Sequence, residues 1–265
     1  MKKTIGFIGC GNMGGAIAKA VSKANANLLL SDAFANKSIE LAKEIGAKAT
    51  DNSDISKNAD IIFLGVKPQV MEKTIFEIKS EITKRKDVIV VSMAAGISTK
   101  RIIEMFGENI KLIRIMPNTP VSVGKGMILF SVTENMTNDD TSFFAEIMRH
   151  AGELDFIDEK LIDAASAVSG CGPAFVYMFI EALADGGVMS GLPRDKAIKY
   201  ATQTLLGSAE LLKKSGKHPG ELKDAVCSPG GSTIEGIKAL ENGALRGTVM
   251  NAVAEAYNKT KELGK

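Results

Sequence analysis

The opening stretch Thr4-Ile5-Gly6-Phe7-Ile8-Gly9-Cys10-Gly11-Asn12-Met13-Gly14 constrains this chain more than any other. A short apolar run breaks into glycines spaced G-x-G-x-x-G, and alanine-rich helical spacing follows over Asn12–Ala24. Strand, glycine turn and helix, in that order, give the spacing a physical purpose. Gly9 permits a sharp turn, Gly11 lets the backbone approach a diphosphate, and Gly14 lets the helix pack against the strand. Amides at the head of the helix, together with its dipole, favour phosphate charge. The turn as a whole, with Cys10, Asn12 and Met13, predicts a dinucleotide site.

Further strands alternate with helices. Asn27–Ser31 is a second apolar run, and Ser38–Ile45 reads as a helix closed by Gly46. Asp60–Val66 and Asp87–Met93 are nearly continuous apolar runs, as central strands buried on both faces are. Lys111–Met116 is stopped by Pro117. Met127–Val132 and Glu153–Ile157 read as later strands around a helix from about Asn138 to His150. The alternation predicts a Rossmann-type, doubly wound parallel sheet. Ligands in such sheets lie beyond the carboxyl ends of the strands. The candidates there are Ser31 and Asp32, Val66-Lys67-Pro68, and Ala94-Ala95-Gly96. Asp32 lies 18 residues beyond Gly14, where an acidic residue bonds the ribose of NAD. Ser31, Asn36 and Lys37 are near enough to serve a 2′-phosphate instead, and Asp32 can also simply cap the loop, so the residues leave NADP(H) and NAD(H) both open.

Near Lys160 the pattern changes to helical periodicity without a strand. Pro173 and Pro193 can open helices towards Val188 and Lys214, and Pro219 sits just before a third. Ser232–Leu240 and Leu245–Leu263 complete the set. The fold class expected is α/β, with a dinucleotide-binding domain over residues 1–159 and an all-α domain over 160–265. Within the latter, Ser228-Pro229-Gly230-Gly231-Ser232-Thr233-Ile234-Glu235 is the most distinctive stretch. Ser232 and Glu235 fit the S-x-x-E capping box. A helix opening behind Gly230 and Gly231 exposes amides to an anion such as a substrate carboxylate, and the Thr233 hydroxyl can donate or accept there.

Several function classes fall away. A net charge of +2 leaves no nucleic-acid footprint. No uninterrupted apolar run approaches about 18 residues, so no membrane span is expected. The first strand starts too early for a signal peptide, and a cytoplasmic protein is expected. Cys10, Cys171 and Cys227 are odd in number and far apart, which argues against a zinc site or a disulfide framework.

A ketone reductase needs a proton donor for the forming alkoxide. His150 and His218 stand in no catalytic pattern. Tyr257 and Lys261 match a Tyr-x-x-x-Lys spacing, but on a charged terminal helix. The N-terminal turn also resembles that of β-hydroxyacid dehydrogenases, yet Val176 stands where that family carries a lysine. An iminium is already electrophilic and needs no strong acid, only alignment with the hydride donor. The residues therefore suit imine reduction.

With these residues assembled, the chain resembles the pyrroline-5-carboxylate reductases nearly end to end. The likeness takes in Gly9–Gly14, Val66-Lys67-Pro68, Ser92–Gly96, Arg114-Ile115-Met116-Pro117-Asn118-Thr119-Pro120, Ser169–Ala174, Glu181–Gly187 and Asp224–Thr233. It implies reduction of L-1-pyrroline-5-carboxylate to L-proline. It further implies NADP(H) as the usual cofactor, Pro117 and Asn118 near the nicotinamide, and Lys67 and Ala94 along the cofactor. The backbone of Gly230, Gly231 and Ser232 would bind the carboxylate, with Thr233 near the ring nitrogen as the catalytic side chain. Pairing of two chains through the helical domain, and further assembly, are implied as well. The alternative is a reductase of another cyclic imine or of a β-hydroxyacid.

Overall fold

The computed structural model describes residues 2–263, with the side chain of Leu263 left aside. Strand β1 (Thr4–Ile8) leads into α1 (Asn12–Val21), then β2 (Asn27–Ser31), α2 (Ala35–Ile45), β3 (Lys48–Ala49), α3 (Asn52–Asn58) and β4 (Ile61–Leu64). There follow α4 (Pro68–Ile82), β5 (Ile89–Ser92), α5 (Thr99–Phe106), β6 (Lys111–Met116), β7 (Gly126–Val132), α6 (Asn138–Met148), β8 (Gly152–Phe156) and α7 (Ile162–Ser169). Five helices follow among the described residues: α8 (Gly172–Met189), α9 (Arg194–Ser215), α10 (Pro219–Ala225), α11 (Ser232–Asn242) and α12 (Leu245–Leu263).

The eight strands form one sheet in the order β3-β2-β1-β4-β5-β6-β7-β8. The first six run parallel, β7 is antiparallel to β6, and β8 runs parallel to β7. The doubly wound parallel sheet expected from the sequence is present, with one reversal between β6 and β7. The cause is the β6–β7 connection, residues 117–125. A parallel crossover needs a dozen or more residues, usually with a helix. Here Pro117 stops β6 and a 3₁₀ turn over Thr119–Val123 reverses the chain.

The period of two along β4 divides the core. Ile61 and Phe63 pack on one face with α1 and α6, and Ile62 and Leu64 on the other with α4 and α5. On the first face Phe7 and Phe63 stack with centroids 4.6 Å apart, and Phe144 continues the column at 6.5 Å. On the second, Met71, Ile75 and Ile78 of α4 are fully buried.

The chain divides into two compact units, one of Met1–Cys171 with Ala256–Lys265 and one of Gly172–Glu255. The division falls one helix later than the change of pattern near Lys160. A buried ion network accounts for the place of α7 in the first unit. Arg114 of β6 pairs with Glu159 and with Asp163 of α7, both at 3.1 Å. Glu159 also accepts the Thr99 amide at the head of α5, at 2.6 Å.

The second unit centres on the pair α8 and α9, where Ala184, Ala197 and Ala201 are buried. Asp185 and Arg194 form an ion pair across the connection. By length and composition Glu159–Met189 would suffice to cross a membrane, an 18-residue window in it having mean hydropathy 1.4. It comprises a 3₁₀ turn over Glu159–Leu161 and two α-helices separated by Gly170 and Cys171, and it carries Glu159, Lys160, Asp163, Glu181 and Asp185, which are costly in hydrocarbon.

Candidate dinucleotide site and anion turn

Five adjacent parallel strands, in the order β2-β1-β4-β5-β6, deliver the candidate residues of the first unit to the carboxyl edge of the sheet. Ser31 and Asp32 follow β2, and Gly9–Gly14 follow β1. Val66-Lys67-Pro68 follow β4, Ala94-Ala95-Gly96 follow β5, and Pro117 and Asn118 follow β6. The strand order reverses beside β1, the place where such sheets open a crevice.

The glycine turn is built by backbone contact. Gly9 has φ +99°, and a Cβ on it would lie 2.6 Å from Gly65. A Cβ on Gly14 would sit 2.1 Å from the Gly9 carbonyl oxygen. No side chain fits at either position. Gly11 is different, because a Cβ there would meet nothing within 4 Å. Open space therefore lies over the head of α1. Gly11 is the N-cap, with no side chain bonded to the helix amides, so the first N–H groups have no partner within α1. Uncapped amides facing open space fit a diphosphate. A cleft of about 450 Å³ adjoins the turn, lined by Cys10, Gly11, Asn12 and Lys37 among others.

Cys10 is buried and its thiol donates to the Ser31 carbonyl at 3.4 Å. Burial, reinforced by the negative charge of Asp32, pushes the thiol pKa up to about 12. The group stays protonated and unreactive at neutral pH. Both Asp32 carboxylate oxygens accept backbone amides, from Cys10 at 2.7 Å and from Phe34 at 2.9 Å. Lys67 is exposed and stands at the N-cap of α4, where Pro68 occupies the first turn. Ala94 is buried, while Ala95 is exposed and Gly96 turns with φ +74°.

Asn118 takes a part that its position in sequence did not suggest. Its Nδ2 donates to the Ser169 carbonyl and its Oδ1 accepts the Met127 amide, both at 2.9 Å. The side chain ties the β6–β7 loop to β7 and to the end of α7. It acts by holding Pro117 and its neighbours in place.

Gly230, Gly231, Ser232 and Thr233 lie in the second unit and form a tight turn. Gly230 has φ +67°, and the Gly231 amide donates to the Ser228 carbonyl at 3.0 Å. The capping box expected from Ser232 and Glu235 is not formed. Gly231 is the N-cap, Ser232 is the first helical residue, and no side chain bonds the amides of the first turn. The amides of this first turn carry no side-chain cap, and Thr233 is exposed beside them. The cavity of about 380 Å³ among His218, Lys223, Leu240 and Arg246 does not include this turn.

The histidines hold structural bonds. His218 Nδ1 accepts the Gly220 amide at 3.1 Å, and His150 Nε2 accepts from Arg149 at 3.1 Å. Lys261 lies over the Tyr257 ring, 5.0 Å from its centroid, so that pair is engaged with itself.

Two residues of this region escaped the reading of the sequence. Gly65 packs against both Gly9 and Gly14. Its signal was a lone glycine at the end of an apolar run, which marks close backbone approach. Asn52 accepts from the Ser31 hydroxyl and donates to Glu77, both at 2.8 Å. Nothing local in the sequence links Asn52 to Ser31.

A sequence model described as "Pyrroline-5-carboxylate reductase dimerisation" matches residues 159–263. One described as "NADP oxidoreductase coenzyme F420-dependent" matches residues 4–96. The pyrroline-5-carboxylate reductase of Pisum sativum is 42% identical over 264 residues, 98% of this chain and 96% of its own. A pyrroline-5-carboxylate reductase structure from Coxiella burnetii has a TM-score of 0.92 at 32% identity and covers 100% of both chains. The Plasmodium falciparum pyrroline carboxylate reductase with NADP bound has a TM-score of 0.88 at 35% identity, covering 99% of this chain and 98% of its own. With such identity over almost its whole length, the chain belongs to the pyrroline-5-carboxylate reductase family.

Proposed function

We propose that this chain reduces L-1-pyrroline-5-carboxylate to L-proline with NADPH, NADH being the alternative donor, in the last step of proline synthesis. One observation carries the reading. Two of its helices, α1 and α11, open at a glycine with no side-chain cap. The reaction brings together two anionic groups, a cofactor diphosphate and a substrate carboxylate, and each suits one such helix head.

In this reading Gly9, Cys10, Gly11, Asn12, Met13 and Gly14 shape the diphosphate cradle. Ser31 and Asp32 stand at the adenosine ribose, with Val66, Lys67, Pro68, Ala94, Ala95 and Gly96 along the cofactor. Pro117 and Asn118 border the nicotinamide. The bound cofactor supplies the hydride to the imine carbon. The amides of Gly230, Gly231 and Ser232 take the carboxylate. The Thr233 hydroxyl oxygen accepts the N–H of the iminium, which fixes the ring. Hydride addition turns that nitrogen into a neutral amine, so alignment does the work that an acid does in ketone reduction.

The region 160–265 serves substrate binding and pairing with a second copy through its helices. Exposed Tyr177, Met178, Met189, Tyr200 and Met250 support the pairing, since apolar faces of this kind call for a cover. A cytoplasmic location agrees with three free cysteines, which a reducing compartment keeps as thiols.

Substrate-dependent oxidation of NADPH, run beside NADH, tests the reading. Consumption of cofactor with formation of proline is expected, faster with NADPH. A folded protein that binds NADPH and leaves this substrate unreduced overturns it.

A further inference from the structure

An acidic residue at the end of β2 ordinarily bonds the ribose hydroxyls of NAD and repels a 2′-phosphate. Asp32 occupies that place but is otherwise engaged. Its Oδ2 accepts the Cys10 amide at 2.7 Å and its Oδ1 the Phe34 amide at 2.9 Å. The Cys10 amide belongs to the phosphate turn itself. Two further contacts run the same way, from the Gly9 amide to the Ser31 carbonyl at 2.8 Å and from the Cys10 thiol to that carbonyl at 3.4 Å. Together they clamp the start of the glycine turn onto the end of β2. The clamp also sorts the amides. That of Cys10 is withdrawn from any anion, and those of Asn12 and Met13, without partners inside α1, remain for it.

A free positive charge lies close by. Lys37, in the first turn of α2, lines the same cleft as Cys10, Gly11 and Asn12. Its Nζ stands 5.2 Å from the centroid of the exposed Phe34 ring, and it has no ion-pair partner among the described residues. The other charges lining this cleft are Lys19, Glu40 and Glu44, of which Lys19 and Glu44 pair with each other at 2.7 Å. The cleft runs from the phosphate turn to the head of α2, the course of an adenosine ribose leaving a diphosphate towards the end of β2.

Taking the chain as an NADPH-dependent reductase, we propose that Asp32 is a positioning residue for the glycine turn, and that Lys37 sets the preference at the ribose 2′ position. Two hydrogen bonds from backbone amides spread the charge of the Asp32 carboxylate and hold it to the backbone. The Lys37 ammonium supplies the attraction that distinguishes a 2′-phosphate from a hydroxyl.

Dissociation constants for NADPH and NADH, measured without substrate from the fluorescence of the reduced nicotinamide, test this directly. Asp32→Asn leaves one acceptor oxygen for the Cys10 and Phe34 amides and sets an NH2 donor against the other, which weakens the clamp. Both constants are expected to rise about tenfold, with their ratio kept within about threefold. The ratio reports only on folded protein, so it stands even where the variant lowers the folded fraction. Lys37→Met, at an exposed position, is expected to weaken NADPH about tenfold and leave NADH within about twofold. Tighter NADPH and weaker NADH binding in Asp32→Asn would overturn the positioning role. Equal effects on both cofactors, or none, in Lys37→Met would overturn the specificity role. A wild-type protein that binds neither cofactor would overturn the reductase reading, and this inference with it.

Discussion

Phe7, Phe63 and Phe144 are fully buried in the sheet unit, whereas Tyr177, Met178 and Met250 of the helical unit are 61%, 70% and 71% exposed. The sheet unit closes its own core on both faces of one sheet. The helical unit buries three alanines and shows much of its apolar surface. Side chains of that size face water at a cost of roughly 1.5–3 kcal/mol each relative to full burial. One unit covers its own apolar surface, and the other leaves apolar side chains open, as the proposed pairing through its helices requires. The same contrast holds for chemistry. The sheet unit offers a turn fixed by glycine-to-glycine contacts, while the helical unit offers an exposed helix head.

The largest effect is expected at the core of the self-sufficient unit. Phe63→Ala should cost roughly 3–5 kcal/mol, read from denaturant unfolding. A change below about 1 kcal/mol would show that the aromatic column does not carry this unit. The counterpart in the helical unit is Met178→Asp with Met250→Asp. It should leave the unfolding of the sheet unit within about 0.5 kcal/mol and split the assembly in sedimentation. An unchanged sedimentation coefficient would place the partner surface elsewhere.

Thr233→Ala probes the exposed helix head. Turnover should fall roughly 10- to 100-fold while NADPH binding stays within about twofold, since one hydrogen bond at the reacting ring is lost. Equal losses in turnover and cofactor affinity would show a structural role instead. The smallest effect belongs to the head of α6, where Thr137 and Asp140 cap each other reciprocally. Thr137→Ala should cost about 1 kcal/mol.

Acid should loosen the same cap. Burial works against the Asp140 charge, but hydrogen bonds from Lys111 and from Thr137 outweigh it and hold the carboxyl below its ordinary range. A depressed carboxylate stabilises the fold above its unfolded pKa of about 4, and that stability is lost as pH falls through the lower folded value. Asp140→Asn should remove this part of the acid dependence, and an unchanged acid transition would contradict the assignment.

Much of the sheet unit was legible because its signals are local. A glycine turn between strand and helix, and apolar runs buried on both faces, fix β1, α1, β4, β5 and β6 within a few residues. The short β3 and α3 carry no such pattern, because Lys48–Ala49 and Asn52–Asn58 are too short to show a period. The reversal of β7 was written in the brevity of residues 117–125 rather than in any strand. The capping box was misplaced for a physical reason. At Ser232 the backbone turn of Gly230 and Gly231 starts the helix one residue early, and no side chain reaches its amides. The roles of Asp32 and Asn118 needed the fold, since their partners Cys10 and Ser169 lie 22 and 51 residues away.

The chain is expected to reduce pyrroline-5-carboxylate by direct transfer of a hydride from NADPH to the imine carbon. Turnover of pyrroline-5-carboxylate with NADPH deuterated at the transferred position, followed by magnetic resonance of the product, tests it most directly. The account predicts proline with deuterium on the ring carbon next to nitrogen and opposite the carboxylate-bearing carbon. Proline without deuterium from either face of the labelled cofactor, or deuterium at any other carbon, would contradict it.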